Sequence, residues 1–95
     1  YLIMPQIYQF QFSEQSENEF ASLSKDLQKR ILEKLEYFEK SGNPLSFAKK
    51  LQGLNNRFRF RIGDYRIIVS QKNQNILIVL VILKIAHRSK AYENA

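Results

Sequence analysis

Residues 57–62 read Arg-Phe-Arg-Phe-Arg-Ile, a strict alternation of charge and apolar bulk that a pleated strand sorts onto two faces. Phe58, Phe60 and Ile62 fall on one side, and Arg57, Arg59 and Arg61 on the other. A helix has no need of charge at every second residue. The hexapeptide therefore commits the chain to a sheet with one cationic face and one apolar face that another layer must cover. Gly63-Asp64 follows as a tight hairpin turn, and Tyr65-Arg66 opens a return strand that can bring a fourth guanidinium to the same area.

The remaining charge is distributed in the same sense. Residues 1–48 hold five Lys/Arg against seven Asp/Glu, a balance of −2, whereas residues 49–95 hold ten against two, a balance of +8. The excess of cations thus lies where the strands are expected, which points to a polyanionic partner, nucleic acid ahead of an anionic membrane. With no cysteine in the chain, neither a disulfide nor a thiolate metal site can staple the fold, and the composition suits a reducing cytoplasm. No Cys/His/carboxylate cluster has metal-ligand spacing and no glycine-rich phosphate loop is present, so neither metal nor small-molecule cofactor is expected. Tyr1 to Pro5 is too short and too uncharged to read as a signal peptide. The apolar run from Ile76 to Ile85, interrupted by Lys84, falls short of the roughly 20 residues that span a bilayer. It reads as a central strand buried on both faces, and no membrane association is expected.

At 95 residues the chain is expected to form a single domain, 1–95. Gln6 to Phe12 alternates aromatic and amide side chains and predicts a half-buried strand. Ser13 or Ser16 is placed to cap a first helix, Ser16 and Glu19 having the spacing of a capping box. A second helix is expected from about Ser24, with Leu27, Ile31, Leu35 and Phe38 on its apolar side, ending at Gly42-Asn43-Pro44. Ser46 to Leu51 is expected to add one short turn, followed by strands over about Arg57–Ile62, Tyr65–Ser70 and Asn75–Ala86, with Lys72 to Asn75 as the polar connection. The order is βααβββ. It predicts an α+β fold in which an N-terminal helical hairpin packs on one face of a small, mostly antiparallel four-stranded sheet, leaving the arginine face open.

Taken together, Lys49-Lys50-Leu51-Gln52-Gly53, the Arg57–Ile62 strand, Gly63-Asp64-Tyr65-Arg66-Ile67-Ile68, a hydrophobic last strand and His87-Arg88-Ser89-Lys90-Ala91-Tyr92 resemble toxins of the RelE/ParE superfamily of bacterial toxin–antitoxin systems. The resemblance covers essentially the whole chain. It implies a cytoplasmic toxin whose partner is a cognate antitoxin protein that covers the basic face. In the RelE branch it further implies a ribosome-dependent mRNA endonuclease, with the ribosome and mRNA as partners; in the ParE branch it implies a non-nuclease inhibitor of DNA gyrase. Carried across position by position, the RelE pattern implies catalytic roles for Arg59, Arg61, Arg66, Arg88 and Tyr92, with His87 where relatives carry histidine or lysine. The terminal set favours the RelE branch. Arg57, Lys49, Lys50, Lys84 and Lys90 complete the site as RNA-binding cations.

The chemistry asked of these residues is metal-independent attack of a 2′-hydroxyl on its neighbouring phosphate. It needs a base for the hydroxyl, an acid for the leaving 5′-oxygen and cations for the developing charge. Arginine suits the third task and, staying protonated, is a poor base. Histidine is the side chain whose ordinary titration lies near neutrality, so His87 is the candidate base or acid. No carboxylate occurs between Lys49 and Arg61. The expectation is therefore that positioning and electrostatics carry most of the catalysis, with the ribosome completing the site and His87 assisting. Tyr92 would stack on a base and Arg88 would contact the scissile phosphate. Two rival readings remain open at this stage: the gyrase-binding toxin, and an RNA-binding module without activity.

Overall fold

In a computed structural model the described residues are 7–53 and 55–89. They form strand β1 (Ile7–Phe12), helices α1 (Glu14–Ala21) and α2 (Lys25–Lys40), a 3₁₀ turn (Pro44–Phe47), and strands β2 (Ala48–Lys50), β3 (Arg57–Ile62), β4 (Tyr65–Gln74) and β5 (Leu77–His87). The α+β class and the helical hairpin match the expectation, but the sheet has five strands in the order β1-β5-β4-β3-β2 and is mixed, because β1 runs parallel to β5. The extra strand is β2. Three residues are too few to show a period of two, so Ala48–Lys50 reads as part of a turn until β3 is beside it to supply the pairing.

Local chemistry sets the ends of each element. The Ser13 hydroxyl accepts the Ser16 amide at 3.1 Å, and Ser24 accepts Leu27 at 3.3 Å, so each serine caps the helix that follows. Ser16 itself is fully buried inside α1. Glu19 closes no capping box; its Oε1 instead accepts the Ile85 amide of β5 at 2.8 Å, and Glu39 Oε2 of α2 accepts the Phe10 amide of β1 at 2.7 Å. Each helix thereby supplies one carboxylate to a strand N–H that the ladder leaves over, which ties the helical layer to the sheet by charge-assisted bonds. Gly63, at φ 59°, opens the two-residue β3–β4 loop, and Asn75, at φ 57°, does the same for β4–β5. The second hairpin therefore extends to Gln74, beyond the polar connection expected from Lys72 onward.

The core lies between α2 and the covered face of the sheet. Ile31, Leu35 and Phe38 from α2 meet Phe60, Ile62, Ile67, Val69, Ile78, Leu80, Ile82 and Ile85, with Phe10, Phe12, Phe20 and Phe58 packed around them. Phe60 is the hub: it stacks on Phe38 at 5.2 Å and meets Phe10 edge-on at 5.3 Å. Burying Phe60 and Ile62 on this side sends Arg59 and Arg61 to the other, so core packing in β3 orients the functional face. Among the described residues no helix is long and apolar enough to cross a membrane.

Candidate nucleic-acid interface

The pairing registers define the uncovered face row by row. One row reads Lys49–Arg59–Ile68–Lys84 across β2, β3, β4 and β5; the next reads Arg61–Arg66–Ala86; on the other side lies Arg57–Ser70–Val81–Gln11. Directly opposed residues share a face with Cβ atoms about 4.5–5.5 Å apart. Four arginines and two lysines are thus gathered on one pleated surface, and among the described residues the rows contain no carboxylate. Opposed like charges such as Arg61 and Arg66 weaken a sheet. Their retention is a cost to the fold that an anionic ligand would offset.

The six cations are presented differently. Lys49 and Arg61 are exposed, whereas Arg57, Arg59 and Lys84 are half-buried, their stems lying on the sheet. Arg66 is only 8% exposed, and its Nη1 donates to the carbonyl oxygens of Gly63 at 3.3 Å and Tyr65 at 3.2 Å. Arg66 is thus buried where Arg61 of the same row is exposed. Its guanidinium folds back to tie the β3–β4 turn while remaining in the Arg61 row. Arg66→Ala should therefore lower unfolding stability by about 1–3 kcal/mol, because the two carbonyls of the turn lose a charged donor. Arg66→Lys should recover part of that loss, with chemical denaturation as the measurement.

Two expected members of the site go elsewhere. His87 pairs with Tyr65, one residue past the Arg66–Ala86 pair, so the pleat turns it to the helix-covered face. Its ring lies edge-on to Tyr65 at 5.6 Å, and its Nδ1 accepts the Ser89 amide at 3.3 Å. Lys50 pairs with Phe58 and likewise sits on the covered side, at the sheet edge. Arg88, exposed, is held beside the β3–β4 turn because its backbone N–H donates to the Asp64 carbonyl oxygen at 2.7 Å. Lys90 and Tyr92 lie outside the described residues. Lys49 is the residue whose position beside Arg59 sequence reasoning had no way to derive, since only the β2–β3 pairing creates it.

The described residues thus present a cationic sheet face without a carboxylate on the side away from the helical hairpin. The sequence model of the family described as ParE toxin of the type II toxin–antitoxin system, parDE, matches residues 10–92. The chain belongs to the ParE toxin family. It is a toxin of a type II toxin–antitoxin system within the RelE/ParE superfamily. The fold of this ParE-family toxin is similar to that in the RelBE2 toxin–antitoxin complex of Mycobacterium tuberculosis, with a TM-score of 0.69 and 22% identity over 90% of this chain and 100% of that one. It is also similar to that in the archaeal RelE–RelB complex of Pyrococcus horikoshii, with a TM-score of 0.62 and 28% identity over 93% of this chain and 100% of that one. The isolated RelE toxin of Escherichia coli superimposes with a TM-score of 0.61 at 18% identity, over 90% of each chain. Among curated proteins, none matches the sequence of this chain.

Proposed function

We propose that this toxin is a ribosome-dependent mRNA endonuclease whose arginine face binds the RNA backbone at the scissile phosphate. The observation that carries the reading is the convergence of Arg59, Arg61 and Arg66, flanked by Lys49, Arg57 and Lys84, on the face away from the helices, which holds no carboxylate among the described residues. Guanidiniums from Arg59 and Arg61 hold the non-bridging phosphate oxygens and stabilise the charge that builds on them in the transition state. Lys49, Arg57 and Lys84 hold flanking phosphates, and Arg88, at the turn beside Arg61 and Arg66, faces the leaving group. The 2′-oxygen attacks phosphorus, the bond to the 5′-oxygen breaks, and a proton from water reaches that oxygen, giving a 2′,3′-cyclic phosphate and a 5′-hydroxyl. Since no imidazole or carboxylate shares the face among the described residues, the proton of the attacking hydroxyl passes to a group of the bound ribosome. The toxin contributes alignment and charge. His87 serves as a positioning residue, its Nδ1 orienting the chain at Ser89 ahead of Lys90 and Tyr92. Tyr92 is assigned to base stacking.

The second reading, a non-nuclease inhibitor of DNA gyrase, is favoured by the family description, which is that of the ParE toxins. Mapping mRNA 5′ ends shortly after induction separates the two. New cuts within translated frames, absent when Arg88→Ala is induced, are the result expected of the endonuclease. Growth arrest with intact mRNA and DNA damage would assign the protein to gyrase instead.

A further inference from the structure

We propose that Phe47 and Tyr37 form a second nucleic-acid contact, a stacking platform for one unpaired base, on the side of the sheet opposite the arginine face. Phe60, Phe38 and Phe47 form a column of rings whose centroids are separated by 5.2 and 4.9 Å, with an interplanar angle of 28° at each step. The column starts in the fully buried core at Phe60 and ends at the surface on Phe47, which is 43% exposed. Tyr37, 57% exposed, meets Phe47 edge-on at 5.6 Å, and the Lys34 ammonium lies 5.4 Å from the Tyr37 ring centroid. The fold is already served by the inner side of Phe47, so its exposed surface adds nothing to the core. An open aromatic ring that terminates a stack, beside an ammonium group, is the chemistry that binds an unpaired base together with its phosphate.

Its place in the fold joins this platform to the arginine face. Phe47 ends the 3₁₀ turn directly before β2, the short edge strand. Within β2, Lys49 belongs to the arginine face and Lys50 to the side on which Phe47 and α2 lie. Adjacent lysines thus mark a path by which a polynucleotide lying on the arginine face crosses the sheet edge and places its next unpaired base on Phe47. Glu33 stands one helical turn before Tyr37 on α2. A passing phosphate would be repelled by it, so Glu33→Gln should tighten binding modestly, whereas a basic protein partner would bind less well. The inference rests on the RNA-binding reading above.

The test uses the full chain with two fluorescent probes, an oligouridylate of about 12 nucleotides and an abasic ribose-phosphate strand of the same length. Phe47→Leu retains apolar volume on Phe38 but removes the π face. It is expected to weaken oligouridylate binding roughly tenfold while leaving the salt dependence and the binding of the abasic strand unchanged, with Phe47→Trp restoring affinity. Oligouridylate bound equally by the native chain and Phe47→Leu would overturn the platform and leave the arginine-face reading standing. Failure of the native chain to bind either probe at low salt would overturn both. A loss confined to antitoxin binding would assign the rings to a protein interface and overturn the proposal in favour of that partner.

Discussion

Replacing Arg59 and Arg61 together by alanine is expected to abolish growth arrest while the domain stays folded. The two side chains stand on adjacent alternating positions of β3, facing away from the core that Phe60 and Ile62 enter. Losing one preorganised donor to a developing oxyanion costs about 10²–10³ in rate. The pair act on one phosphate, so their effects will not add, but either loss is large enough to remove toxicity. Stability should move little or rise, because alanine at position 61 removes the like-charge opposition between Arg61 and Arg66. Induced growth curves, mRNA 5′-end mapping and a thermal unfolding scan of the purified variant check the three parts. Undiminished arrest in the double variant would mean that the arginine face is not where the toxin acts. Arrest lost together with the thermal transition would mean that the substitutions had disturbed the fold.

Phe60→Ala is expected to have the largest effect on stability. Phe60 is fully buried and touches rings from the helical layer and from its own sheet, Phe38 of α2 and Phe10 of β1. Emptying such a site costs about 3–5 kcal/mol. Against a total of about 5–15 kcal/mol for a small domain, that is a large share of the stability. Phe60→Leu retains most of the apolar volume and loses chiefly the ring–ring preferences, about 0.5–1.5 kcal/mol for each pair. Denaturant midpoints for the two variants separate packing volume from aromatic geometry. If leucine proves as damaging as alanine, the stacked column through Phe38 carries the stability and filled space does not. Because that column also ends on Phe47, Phe60→Leu would loosen the platform proposed for an unpaired base.

Much of this architecture is legible in short stretches of chain. The alternation from Arg57 to Ile62 places Phe60 and Ile62 in the core and the arginines outside before any partner strand is known. Ser24, the Ile31–Leu35–Phe38 spacing and Gly42-Asn43-Pro44 delimit α2 in the same way, because capping and helical periodicity depend only on neighbours in sequence. Glu19 shows the limit of such reasoning. Its spacing from Ser16 is that of a capping box, yet a burial site for Ser16 and an unpaired Ile85 N–H 66 positions later compete for the same groups and win.

By itself, then, the sequence determined a cationic strand face, a helical layer over its apolar side and a charge distribution suited to a polyanion. Each of these follows from the period of one segment or from a count of residues. Tertiary structure alone decided that β1 pairs parallel with β5, that β2 brings Lys49 beside Arg59, that Arg66 is buried against its own turn, and that His87 and Lys50 leave the arginine face. The physical reason is that a pleat reverses sides at every residue. Which face a strand-end side chain joins depends on the register against a neighbour, set by long-range packing of the core, and a shift of one residue exchanges every assignment.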